Sequence, residues 1–243
     1  MGPSFKCLAT PEESRGPAWR LVLLGPPGVG KGTQAELISA CLGTCHLSTG
    51  DVFRAACRRC GGKETPAMAA ALEFMRRGDL VPDDIVWEAV RERVGCLHCH
   101  GGFILDGFPR TLSQAESLQH LLEEERLPLH AVIRYSLPLE EIVARLSGRR
   151  TCEACKAIFH ISTHPPQKEN KCDHCGGKLC QREDDRPESI AVRMEAYKNS
   201  TAPLIQFYQN LGLLTVVQAT GSPEQILERT LAALKIETPL ITE

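Results

Sequence analysis

The chain has 243 residues, 42% of them apolar, and its 28 Lys and Arg stand against 30 Asp and Glu for a net charge of -2. That length and apolar share support one α/β domain with insertions, and the charge balance argues against an electrostatic nucleic-acid binder, which carries a basic excess. No run of 18 apolar residues exists to span a membrane.

Residues 1–18 lack the apolar centre of a signal peptide and carry two acidic residues, so they read as a loose leader and the expected location is cytoplasmic. LVLL (21–24) is a continuous apolar run, as in a strand buried on both faces. It leads into GPPGVGKGT (25–33), where Gly25, Gly28 and Gly30 let the backbone wrap an anion and Lys31 adds a point charge. A helix beginning there contributes its positive N-terminal end. The common phosphate-loop signature places Ser or Thr directly after the lysine, within reach of a magnesium ion. Here Gly32 holds that place and Thr33 follows one step late.

Ala35, Ile38 and Leu42 mark one helical face, stopped by Gly43. TCHLS (44–48) is a second strand. A helix starts at Thr65-Pro66 and runs to Gly78; Val86, Val90 and Val94 recur on the next, which stops at Gly95. GFILD (102–106) is a third strand, a helix follows over 113–126, and AVIRYSL (131–137) is a fourth. LPLEEIVARL forms a helix stopping at Gly148. Residues 148–185 then lose all helical period and form an inserted module. Helix resumes at Pro187 with a bend at Pro203, LLTVV (213–217) is the fifth strand, and Ser222 before Pro223 caps the last helix. Five buried strands interleaved with helices predict a doubly wound parallel sheet with helices on both faces, of P-loop type, with its ligand at the carboxyl ends of the strands.

Twelve cysteines are many for a chain in a reducing compartment, so paired spacings point first to metal. Cys152-x2-Cys155 and Cys172-x2-Cys175, with sixteen residues between them, have the spacing of a zinc knuckle pair. Four thiolates close a tetrahedral shell with no position left for water, so one structural zinc per chain is expected. Cys57-x2-Cys60 and Cys96-x2-Cys99, the latter beside His98 and His100, could form a second metal site but read more readily as two unrelated cysteine-rich turns.

GPPGVGKGT, STGDVFRA (48–55), GDLVPDD (78–84), ILDGFPRTLSQA (104–115), LSGRR (146–150) and QREDDRPE (181–188), in that order, resemble an adenylate kinase of the long-lid, zinc-stapled form. The resemblance covers about residues 20–235, and in that family Gly follows the lysine. It implies a core of 19–47, 82–147 and 186–243, an AMP-binding flap of 48–81 and a lid of 148–185 that closes over the substrates. It implies transfer of a phosphoryl group from MgATP to AMP. Lys31, Arg110, Arg149, Arg182 and Arg193 would neutralise the transferring phosphates, with Asp106 orienting the waters of Mg2+. The ATP site would comprise Gly28, Gly30, Lys31, Gly32, Thr33, Arg145, Arg149, Phe159 and Gly221. The AMP site would comprise Thr49, Gly50, Arg54, Leu80, Val81, Gly107, Arg110 and Gln114, reached by Arg182 and Arg193. Within it Gln114 would read adenine, while Asp184 and Asp185 would meet the lid arginines. The stretch CRRCGGKETPA (57–67) departs from the family pattern. ATP and AMP are the expected partners of a monomer, with neither nucleic acid nor membrane. GTP as donor, another monophosphate as acceptor, or a non-catalytic nucleotide sensor with a nucleic-acid-binding zinc ribbon are the alternatives.

Overall fold

A computed structural model describes residues 17–49, 66–91 and 97–236. Gly50, Arg54, Cys57, Cys60, Val94, Gly95 and Cys96 lie outside the described residues, as do residues 1–16 of the leader.

The central sheet has five strands, Trp19–Leu24 (β1), Cys45–Ser48 (β2), Gly102–Asp106 (β3), Ala131–Ser136 (β4) and Leu214–Gln218, all parallel, with the last-named strand at the edge beside β4. The spatial order is β2, β3, β1, β4 and then that edge strand. Side chains along a strand alternate between faces, and both faces of β1, β3 and β4 are dry; the strand at Leu214–Gln218, expected to be buried, has a neighbour on one side only and leaves Val216 51% exposed. Val22, Leu24, Phe103, Leu105 and Val132 enter one apolar cluster; Leu21, Leu23, Ile104, Ile133 and Tyr135 enter the other. That two-sided burial is why LVLL and FIL are unbroken apolar runs rather than alternating ones. Each fully buried side chain of this size contributes about 1.5–3 kcal/mol relative to an exposed one.

Helix Lys31–Leu42 (α1) ends on Gly43 in the left-handed conformation, as its sequence pattern predicts. Helices Pro66–Arg77 (α2), Asp83–Arg91 (α3), Leu112–Glu124 (α4) and Leu139–Gly148 (α5) follow. The bend expected at Pro203 begins earlier: helix Pro187–Ala196 (α6) passes through a π-turn at Tyr197–Thr201 before Leu204–Asn210 (α7). The edge strand at Leu214–Gln218 is separated from these by the lid strands, which are Arg149–Cys152 (β5), Ile158–His160 (β6) and Leu179–Cys180 (β7), and so becomes β8. The last helix, Pro223–Ala233 (α8), opens with a reciprocal capping box: Ser222 Oγ accepts from Gln225 N, and Gln225 Oε1 accepts from Ser222 N.

The chain leaves β1 toward β2 and leaves β3 toward β4, in opposite directions. This puts the crevice of the doubly wound sheet at the carboxyl ends of β1 and β3. Register brings Leu23 and Ser48 level with Asp106, so the loop after β1, the residues after β2 and the Asp106 carboxylate share one edge. The inserted module is a three-stranded antiparallel sheet of order β6, β5, β7. Among the described residues, no helix is long and apolar enough to cross a membrane.

Candidate active site

The loop between β1 and α1 turns on Gly28 and Gly30, whose φ angles of 79° and 101° suit glycine. A Cβ on Gly28 would also sit 2.6 Å from Leu146 Cγ, which keeps the loop close to α5. Lys31 folds back over the loop, its Nζ donating to Gly25 O at 2.7 Å and Pro26 O at 2.9 Å. Burial lowers its pKa to about 7; Asp106 resists the shift, while Arg110, Arg193 and Arg149 add to it. Those four charges come from β3, the residues before α4, α6 and the inserted module.

Gly32 faces Asp106: a Cβ there would lie 3.4 Å from Asp106 Oδ2, an ordinary contact, so the start of α1 stands beside a carboxylate delivered by β3. Asp106 is buried, and His46 of β2 approaches it at 3.6 Å.

A second cleft, of about 390 Å3, opens beside this edge and is lined by Thr49, Leu80, Val81, Gly107, Arg110 and Gln114 together with Met75, Asp79 and Val86. Six residues expected around AMP, drawn from three separate motifs, thus share one concavity. Thr49 Oγ1 donates to Gly107 O at 3.0 Å, and Arg110 Nε donates to the same carbonyl at 2.8 Å. Thr201 Oγ1 donates to Arg110 O at 2.9 Å, tying the arginine's backbone to the π-turn.

Two arginines, Arg149 of β5 and Arg193 of α6, gather around Asp184 and Asp185. Arg149 makes a forked pair with Asp185, whose carboxylate is completely buried. Arg193 reaches Asp184 Oδ2 at 2.9 Å and Asp185 Oδ1 at 3.1 Å. Arg182 Nε donates to Thr151 Oγ1 at 3.0 Å, within the lid sheet. Arg145 donates to Val29 O at 3.2 Å and Ala219 O at 2.8 Å, bridging the phosphate loop to the segment that contains Gly221. Phe159 is placed differently from a residue that would face ATP with its ring. It is 1% exposed in the lid's own core and stacks on His164 at 5.4 Å.

The four lid cysteines converge. Their Sγ atoms all lie within 4.8 Å of one another, with 3.5 Å between Cys152 and Cys175 and between Cys155 and Cys172. Sulfurs at about 2.3 Å from a tetrahedral ion stand roughly 3.8 Å apart, so the cluster fits a metal of zinc's size. His98 instead pairs with Glu125 Oε2 at 3.1 Å.

Sequence reasoning named Asp184 and Asp185 but missed two residues. His46 lies beside Asp106, and Asp83 hydrogen-bonds Gln114 Nε2 at 2.5 Å. Neither carries a local signal: His46 sits in an ordinary strand, and an acid at the start of a helix suits the helix dipole anyway.

The sequence model of the adenylate kinase family matches residues 23–213. The chain belongs to the adenylate kinase family. It is 45% identical over 216 residues to an adenylate kinase of Carboxydothermus hydrogenoformans, covering 89% of this chain and 99% of that one. To an adenylate kinase of Streptomyces coelicolor it is 44% identical over 217 residues, 89% and 98% of the two chains. To one of Archaeoglobus fulgidus it is 45% identical over 215 residues, 88% and 97%. Family membership makes the chain a nucleotide-binding kinase, an ATP:AMP phosphotransferase.

Proposed function

We propose that the two clefts hold the two nucleotides tail to tail and that the reaction is MgATP + AMP ⇌ 2 ADP. An oxygen of the AMP phosphate attacks the γ-phosphorus of ATP, the bond from that phosphorus to the β-phosphate oxygen breaks, and the electron pair leaves with ADP. No general base is needed, because the nucleophile is already ionised. What remains is positioning and neutralisation of charge that spreads over the equatorial oxygens. The observation that carries this reading is the cleft lined by Thr49, Leu80, Val81, Gly107, Arg110 and Gln114. It stands at the carboxyl edge of the sheet, where Lys31 folds over the phosphate loop, and Arg149 and Arg193 pair with Asp185.

In this reading, Gly28, Gly30, Lys31, Gly32 and Thr33 cradle the ATP phosphates, while Arg145 and Gly221 flank its base. Thr49, Leu80, Val81, Gly107, Arg110 and Gln114 take AMP, with Gly50 and Arg54 in the same role. Arg149, Arg182 and Arg193 come from the lid side. Mg2+ accompanies ATP and neutralises phosphate charge, and Asp106 is the carboxylate placed to orient its waters. Cys152, Cys155, Cys172 and Cys175 hold a structural zinc, and residues 148–185 and 48–81 serve as lid and AMP flap around the core. Excluding water matters because water would otherwise take the phosphoryl group. The protein works as a monomer in the cytoplasm, a reducing compartment in which four thiolates stay available to metal.

The test is turnover by purified protein with ATP, AMP and Mg2+, read as ADP formed, with Arg110→Ala as the control. GTP, and the other nucleoside monophosphates, form the comparison arms. ADP formation that needs both ATP and AMP and collapses in the control supports the proposal; nucleotide binding without ADP formation overturns it.

A further inference from the structure

Gln114 is only 2% exposed, and its amide is held at both ends. The Arg110 backbone N–H donates to Oε1 at 2.7 Å, and Nε2 donates to Asp83 Oδ1 at 2.5 Å. These partners decide which end is which, because a backbone N–H only donates and a carboxylate only accepts. Thr111 closes the ring: its hydroxyl donates to Asp83 Oδ2 at 3.1 Å and accepts from Gln114 N at 3.2 Å. Asp83 thus uses both oxygens on the residues that hold the amide, and it is not among the side chains lining the cleft.

An amide oxygen has two acceptor positions and an amide nitrogen two hydrogens. With one of each engaged by the protein, Gln114 has one acceptor and one donor left, side by side. Adenine offers the complementary pair, a donating 6-amino group and an accepting N1. Hypoxanthine offers the reverse, an accepting 6-oxo group and a donating N1–H. Turning the amide over would match hypoxanthine, but it would also aim an NH2 at the Arg110 N–H and a carbonyl at the Asp83 carboxylate.

We propose that Asp83 is a positioning residue for acceptor choice: by anchoring Gln114 Nε2 it fixes the amide in the orientation that accepts AMP and rejects a 6-oxopurine monophosphate. This rests on the reading of the cleft as the AMP site. The carboxylate acts through Gln114 and does not touch the base.

The measurement is kcat/KM for AMP divided by kcat/KM for IMP, at saturating MgATP. Asp83→Ala is expected to lower that ratio at least about tenfold, mainly through a higher KM for AMP, since a buried polar pair is what rejects the wrong partner. Asp83→Asn keeps an oxygen that can accept from Gln114 Nε2 and should restore most of the ratio. A quotient of two kcat/KM values does not depend on how much of the enzyme is folded, so a merely structural role leaves it unmoved. If Asp83→Ala yields no folded protein, Asp83→Ser, too short to reach the amide, carries the same expectation.

Gln114→Ala separates the two claims. It should lower the ratio as far as Asp83→Ala does, and the double variant should fall no further. A lowered ratio in Gln114→Ala with a wild-type ratio in Asp83→Ala and Asp83→Ser overturns the positioning role and leaves the AMP reading standing. A wild-type ratio in Gln114→Ala removes base reading by Gln114 itself.

Discussion

The sheet edge and the lid, which the proposed reaction brings to the same anionic ligand, are built in opposite ways. At the edge, β1, β3 and β4 are buried on both faces by two large apolar clusters, so the phosphate loop and Asp106 rest on a frame that supports itself. The lid has a core of Cys152, Phe159, Cys172 and Leu179, with Ala157 against it. Two of those four side chains are metal-site thiols. A module this small cannot bury enough apolar surface to hold its own shape, and an ion held by the four cysteines would stand in for the missing core. Precision comes from packing in one region and, in the proposed reading, from coordination in the other.

The difference can be broken at either side. The largest expected effect is on chemistry alone: Lys31→Met should lower kcat by about a hundredfold or more, while the thermal midpoint stays close to wild type. Coupled ADP detection and a melting curve on the same sample check both halves. Next comes the lid. Cys172→Ser, or chelation of the metal, should cost several kcal/mol, and a loss of about 3 kcal/mol moves the midpoint of a chain this size by roughly 6–12 °C. Turnover well below that midpoint should persist, and its immediate loss in a still-folded protein would make the metal more than a brace.

A smaller effect concerns pH. With Lys31 lowered by burial to about 7 in the unliganded protein, it is charged below that pH and increasingly neutral above it. ATP needs the charged form and raises the pKa. Binding should therefore take up a proton near pH 8, and affinity should fall as pH rises from 7, by up to about tenfold per unit. Calorimetry in two buffers of different ionisation enthalpy measures the uptake; Lys31→Met should abolish it. The smallest effect lies far from either region. Ser222→Ala removes the capping box of α8 and should cost about 1 kcal/mol in urea denaturation, leaving kcat unchanged.

Much of this was legible in the residues, for physical reasons that can be named. LVLL and GFILD are apolar throughout because both faces of the sheet are covered, and Gly43 and Ser222-Pro223 mark helix ends by backbone chemistry that acts locally. The four cysteines are readable because ligation fixes their spacing. The residues that share the cleft with Gln114 could be grouped beforehand through motifs in which several residues act together. Phe159 was harder: whether an aromatic on a three-residue strand faces in or out depends on which face the lid sheet covers. Asp83 and Gln114 are 31 residues apart, and nothing near either one announces the other. His46 beside Asp106 follows only from the parallel register of β2 and β3.

The buried carboxylate of Asp185 has a consequence of its own. Guanidinium groups crowded around a vacant cleft would push one another apart and scatter toward solvent. Asp185 pairs with two of them, so the chain carries an internal counterion that holds these guanidinium groups together. An arriving phosphate would meet cations already gathered and oriented, rather than having to collect each arginine separately.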